Sequence, residues 1–184
     1  MRGNVSHGLR RKRYRAKLQE LSNLKKRMRR EFAPRELWFF ESSRVAGYQG
    51  TEPIMFVGQR PSLGKGPSKK NTDRPGGFYS LLVEYGFKDA HITDLVKESM
   101  KTGSLWKEQV DENWPYFQAE LEIIQPTIVV AIGGEVRGIL KDRMVPEIPI
   151  EQMVHYAYRF KTRDWLERKM RADLARIRRK VDES

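Results

Sequence analysis

The chain of 184 residues contains no cysteine. That excludes disulfides, thiolate zinc sites, thiolate-held iron–sulfur clusters and cysteine nucleophiles. Histidine is scarce, at three residues. His155 has no second His or carboxylate at ligand spacing, so neither a metal nor another cofactor is expected. No apolar run approaches the ~20 residues of a membrane span, and the basic N-terminus has no apolar signal core. The expectation is a soluble protein, plainly read as cytoplasmic, with no membrane partner. A nucleotide-phosphate loop is also missing: in Gly64-Lys65-Gly66 the lysine follows glycine directly and no Ser or Thr comes next, so the Walker spacing fails.

What the chain has is positive charge, +12 in all, and it is unevenly placed. Residues 1–32 are net +10, residues 33–158 net −3 and residues 159–184 net +5. Tyr14, Leu18, Leu21, Leu24, Met28 and Phe32 recur at steps of three and four, so the first segment predicts an amphipathic helix. A Leu- and Met-rich stripe suits packing on a domain better than insertion into lipid. Charge runs are usually solvated helix faces. Twelve cations in 32 residues nonetheless favour a phosphate polymer, because each neutralised phosphate releases counterions.

The length suits one domain with an appendage. Residues 1–32 are read as a basic helical extension and residues 33–184 as an α/β domain that includes a basic C-terminal helix. Four strands are expected, at 54–58, 91–96, 127–132 and 152–155, the third uncharged and β-branched and so buried on both faces. Helices are expected at 78–85, 106–124 with Pro115 as a break or fresh start, from 135 to 140, and over 163–181. The alternation predicts a three-layer α/β/α fold on a short, mainly parallel four-stranded sheet.

In open sheets of this kind ligands bind beyond the carboxyl ends of the strands. Those ends carry Gly58–Ser62, Asp94, Gly133-Gly134 and His155. The 17-residue loop 59–75 exceeds the ~12–15 residues beyond which loops are usually functional. It holds Arg60, Ser62, Lys65, Lys69 and Lys70, which suit a phosphate backbone about as well as they suit a solvated loop. A lone His after a strand is more often structural than catalytic, Phe78 and Tyr79 are more often core than platform, and Asp94 is more often a cap or turn residue.

In this order the segments resemble the uracil-DNA glycosylase superfamily, over about residues 53–160. The resemblance rests on Ile54-Met-Phe-Val-Gly-Gln-Arg-Pro-Ser62, Arg74-Pro-Gly-Gly-Phe-Tyr-Ser-Leu-Leu82, His91-Ile-Thr-Asp-Leu-Val-Lys97, residues 120–133 around Pro126, and Met153-Val-His155 followed by Arg159. It implies a metal-free hydrolysis of the bond between a damaged or deaminated base and deoxyribose, in single- or double-stranded DNA. The base leaves the stack at a cost of a few kcal/mol. Gln59 would offer a backbone amide to the base oxygen, and Gly58 lets that backbone come close. Phe78 would stack on the ring, Asp94 would read the base edge and His155 would stabilise the leaving base. Arg60, Ser62, Lys65, Lys69, Lys70 and Arg159 would grip phosphates.

Three positions depart from the family pattern. Arg60 stands where the most active members carry a water-activating Asp. Asp94 stands where Asn is expected, and an ionised carboxylate offers only acceptors to a base. Tyr156 follows His155 in place of Pro. The competing expectations are a binding module with the same fold that has lost hydrolysis, and an RNA-associated or partner-binding protein that keeps the fold as a scaffold.

Overall fold

The computed structural model describes residues 4–61, 74–98, 107–144, 146–157 and 161–183, with the backbone alone for 4–10. In chain order the elements are α1 (Asn4–Glu31), a 3-10 turn (Gly47–Gln49), β1 (Glu52–Gly58), α2 (Phe78–Glu84), β2 (Ala90–Asp94), α3 (Lys107–Ile124), β3 (Ile128–Ile132), α4 (Gly134–Arg143), β4 (Ile150–Met153) and α5 (Arg163–Glu183). The four strands form one parallel sheet in the order β2-β1-β3-β4. Helices cover both faces, which is the expected three-layer arrangement.

Alternation along the strands divides the core. Ile54, Phe56, Ile92, Ile128, Val130 and Ile132 face α2 and α5, where they meet Phe78, Leu82, Leu166, Met170 and Leu174. Met55, Val57, Val129 and Ala131 face the other way, toward Phe117 and Ile124 of α3, Val136 and Leu140 of α4, and Leu21, Leu24 and Met28 of α1. A period of two in the side chains produces these two faces without any further device. The carboxyl half of α1 is therefore part of the second core, while residues 11–16 are exposed.

The boundaries differ from expectation at three places. Helix α3 runs unbroken through Pro115. Proline removes one intrahelical bond, but Pro115 lies on the exposed face, and the buried positions Val110, Asn113, Phe117, Glu120 and Ile124 continue at steps of three and four past it. Strand β1 begins at Glu52 and includes Pro53, which is tolerated because the pairing register shifts between Glu52 and Met55. Strand β4 ends at Met153, so His155 sits two residues beyond the sheet rather than in it.

The connections place the site. From β1 the chain passes through α2 to β2 on one side, whereas from β3 it passes through α4 to β4 on the other. The strand order thus reverses beside β1 and β3, and the crevice at their carboxyl ends is the topological switch point where open α/β sheets hold ligands.

Candidate functional site

Four chain segments meet at that crevice. Asp94 ends β2 and pairs in register with Gly58, the end of β1. The two are packed so closely that a Cβ on Gly58 would stand 2.2 Å from Asp94 Oδ1, so a larger residue there would have to push the carboxylate aside. Gly133 follows β3 with φ at 101°, in the region that glycine adopts without strain, and its amide donates to Met153 O at 3.0 Å. His155 lies directly above it: a Cβ on Gly133 would be 3.8 Å from the His155 Cβ.

A cleft of about 300 Å³ opens here, lined by Gln59, Gly133, Gly134, Glu135, Gln152 and His155 among others. Its volume stands at the lower end for small-molecule sites. The Gln59 side-chain amide donates to Glu135 Oε2 at 2.7 Å, tying the end of β1 to the first turn of α4. His155 Nδ1 accepts the Ala157 amide at 3.1 Å, so the neutral ring carries its proton on Nε2. Burial lowers the His155 pKa and so favours that neutral form.

Phe78 is not in this cleft. Its ring is 1% exposed, edge-on to Phe56 at 6.3 Å and stacked on Tyr156 at 4.9 Å with 15° between planes. Tyr156 is in turn stacked on His155 at 4.8 Å and 21°. Tyr156 links the two rings, stacking on Phe78 and on His155. The expected open platform on Phe78 is thus covered by the chain's own tyrosine. The physical reason is the turn after β4: the short His155–Ala157 bond folds residue 156 inward onto the α2 face of the core.

Asp94 lies near enough to this stack for its charge to act on Tyr156. It is 5% exposed, and burial lifts its carboxyl to about 7, with Lys97 opposing the rise and Glu120 adding to it. Burial chiefly, then the charges of Asp94 and Tyr79, also push the Tyr156 hydroxyl well up, which puts that hydroxyl within the field of the carboxylate. The role expected of Asp94 as an acceptor-only reader of the base edge is therefore modified, because near neutral pH its carboxyl is divided between charged and neutral forms.

Beneath the rim lies a buried polar cluster that had no place in the sequence reading. Glu120 on α3 is wholly buried, with Lys97 Nζ at 3.0 Å from Oε1 and the Thr93 hydroxyl donating to Oε2 at 2.9 Å. His91 Nε2 stands 3.7 Å from Oε2, and Lys97 Nζ also donates to the Asp94 carbonyl. Burial works to raise the Glu120 carboxyl, but Lys97 and His91 outweigh it and hold it below the ordinary carboxylate range. The signal was visible: Asn113 and Glu120 occupy the same helical stripe as Val110, Phe117 and Ile124. A glutamate on an apolar stripe demands a buried cation. Glu135 was missed too, since one acid in the first turn of a helix ordinarily serves only the helix dipole.

Of the residues expected on phosphates, Arg60 is half-buried next to Gln59. Ser62, Lys65, Lys69, Lys70 and Arg159 lie outside the described residues. The two basic ends differ in kind. On α5, Arg171 pairs with Glu84 and Glu167, Arg176 and Lys180 with Glu151, Arg178 with Asp182 and Lys169 with Asp173. On α1, Arg11, Lys12 and Arg15 are exposed and have no ion pair among the described residues. Lys17 Nζ donates to Ile124 O at 2.7 Å, and Arg13 and Lys17 share a second cleft with Thr51, Glu52 and Asp89. That anchors the basic half of α1 at the amino ends of the strands, across the sheet from His155.

No protein-family model and no curated protein matches this chain. Among the described residues there is no cluster of three or more His, Asp or Glu suited to a metal ion, and no helix is long and apolar enough to cross a membrane.

Proposed function

We propose that the protein is a DNA glycosylase of the uracil-DNA glycosylase type, which everts a damaged or deaminated base and hydrolyses its N-glycosidic bond. The observation that carries this reading is the stack of Phe78, Tyr156 and His155 at the carboxyl ends of the strands, where Asp94 also lies. A six-membered ring stacked on aromatic side chains at this rim occupies the kind of place an everted base requires, and such stacking is worth about 1–3 kcal/mol per base. The base replaces Tyr156, with its edge toward Asp94.

Cleavage leaves negative charge on the departing base and positive charge on the sugar. With the imidazole turned from its stacked position to edge-on, the Nε2–H of neutral His155 donates to the base as that charge grows, and it acts most strongly in a site that excludes water. Arg60, a donor without an acceptor, cannot take a proton from an attacking water. Glu135, fixed by Gln59 on the cleft side of His155, supplies the missing carboxylate and orients water toward the sugar. The basic half of α1 holds phosphates at a distance from the everted base.

The second reading, a binding module without hydrolysis, is favoured by one observation: Tyr156 already covers the Phe78 ring. A lesion panel separates the two. Duplex and single-stranded DNA bearing uracil, hypoxanthine or xanthine is incubated with the protein, and abasic sites are then cleaved with alkali. Scission that is lost in His155→Ala is the expected result. Tight, salt-sensitive binding without scission of any lesion would leave the binding module and refute the hydrolase.

A further inference from the structure

The amphipathic stripe of α1 runs further than the core it serves. Leu21, Leu24, Met28 and Phe32 are buried, but Tyr14 at the head of the stripe is 46% exposed. Tyr14 lines a cleft together with Arg13 and Lys17, two cations one helical turn apart on the same face. The rest of the lining is Thr51, Glu52 and Pro53 at the start of β1, and Asp89 just before β2. The Thr51 and Glu52 amides both donate to the Asp89 carbonyl, at 3.0 and 3.2 Å, which fixes Asp89 beside the start of β1. The cleft measures about 510 Å³, against about 300 Å³ at His155, and falls within the ordinary range for small-molecule sites.

Charges of opposite sign share this space without closing on each other. Among the described residues no ion pair joins Arg13 or Lys17 to Glu52 or Asp89, and Lys17 Nζ donates instead to the Ile124 carbonyl at 2.7 Å. Like charges are neighbours: burial and then Asp89 raise the Glu52 carboxyl, while burial and then Arg13 lower the Lys17 ammonium. A ligand that satisfies the whole cleft therefore carries an anion for Arg13 and Lys17, a flat ring for Tyr14, and donors for carboxylates that offer only acceptors. A simple anion or an acidic peptide would be repelled by the acids, and a cationic peptide by Arg13. A nucleotide with an amino-bearing base has all three parts in one molecule.

We propose that this cleft is a second nucleotide site, in which Arg13 and Lys17 take the phosphate, Tyr14 stacks on the base, and Glu52 and Asp89 accept from its amino group. The proposal rests on the reading that α1 meets phosphates and is independent of any chemistry at His155. The cleft lies at the amino ends of the strands and is built partly from α1, so it is separate from the crevice. Its ligand is a nucleoside 5′-phosphate, either free or as one unit of a single strand.

The test uses the full chain and ligand-observed NMR at pH 8, with the 5′-monophosphates of deoxyadenosine, deoxycytidine and thymidine as probes. The first two are expected to bind about fivefold or more tighter than the third, whose carbonyls leave the acids without a donor. Tyr14→Ala, at an exposed position, is expected to weaken the deoxyadenosine nucleotide about fivefold or more, the low end of what stacking on one base supplies. Glu52→Gln with Asp89→Asn is expected to abolish the preference over the thymidine nucleotide, since amides donate as well as accept; should that pair fail to fold, Tyr14→Ala still decides. Equal binding of the three nucleotides by wild type, no binding of any at millimolar concentration, or unchanged affinity in Tyr14→Ala overturns the proposal. A short oligodeoxyadenylate bound roughly tenfold or more tighter than the monomer, with the gain lost in Tyr14→Ala, places a strand in the cleft. Equal affinity of oligomer and monomer places the free nucleotide there. If the nucleotides fail to bind while replacing Arg11, Lys12, Arg13 and Arg15 with glutamine still flattens the salt dependence of DNA affinity, α1 meets phosphates and the nucleotide site is refuted. If they bind as expected while no lesion is cleaved, the hydrolase falls and the site stands.

Discussion

Asp94→Asn is the substitution whose effect the structure specifies most fully. The carboxyl titrates at about 7 in the fold against 3.8 when unperturbed, because burial beside Gly58, with Glu120 near, outweighs Lys97. A raised carboxyl means that the folded chain binds the extra proton between these two values. Stability therefore falls as pH rises through that window and levels off above about 7. The full difference corresponds to ~4 kcal/mol, and about 2.5 kcal/mol of it falls between pH 5 and pH 8.

Asparagine keeps the shape and cannot titrate. Urea unfolding of wild type and Asp94→Asn at pH 5 and pH 8 isolates this term, since His155, whose pKa is lowered, and Glu120 titrate in both proteins. The variant is expected to gain on wild type by about 2.5 kcal/mol from pH 5 to pH 8, which is a midpoint shift of roughly 1–2 M urea. A stability difference that stays constant across that range would refute the argument that Asp94 is desolvated by the fold.

Three other perturbations have defined outcomes. Lys97→Met strands Glu120 in the interior and is expected to cost about 3–5 kcal/mol, whereas Lys97→Met with Glu120→Leu should recover most of it; thermal unfolding distinguishes the two. Glu135→Gln is expected to lower kcat on a cleavable lesion by about 10²–10⁴-fold with KM nearly unchanged, and an unaltered kcat would remove Glu135 from the reaction. Replacing Arg11, Lys12, Arg13 and Arg15 with glutamine should reduce the salt dependence of DNA affinity by about 3 in log–log slope. An unchanged slope would mean that α1 does not meet phosphates.

The backbone was easier to read from the sequence than the site, for a physical reason. Ile54 and Phe56 alternate with Met55 and Val57, and Val129 and Ala131 with Ile128, Val130 and Ile132. Each strand announces itself within a few residues because side-chain direction is a local property. Rim positions follow from strand ends, so Asp94, Gly133 and the segment holding His155 were legible as well. The contents of the site were not. The stack joins residue 78 to residue 156, and nothing local to Tyr156 says that its ring turns inward. The link from Gln59 to Glu135 spans 76 positions. Pro115 misled because propensity speaks to an isolated helix, while the buried stripe on either side of it decides the folded one.

The placement of charge bears on how such a site could work. Strand β1 has seven residues and spans about 23 Å at ~3.3 Å per residue. It separates the His155 end of the sheet from the end where Lys17 anchors α1. Thirteen residues of α1 precede Lys17 and extend about 20 Å at 1.5 Å each. Cations this far from the crevice cannot stabilise charge developing on a base, because exposed charges are screened within roughly 8–10 Å at ordinary ionic strength. On the proposed reading they hold a phosphate chain in place without acting on its chemistry. Among the described residues the crevice holds Asp94, Glu135 and His155, and on that reading discrimination there rests on shape and hydrogen bonding. On the same reading, affinity at one end of the strands and selectivity at the other leave each free of the other's constraint, since a tighter grip on phosphates would not alter which base the crevice accepts.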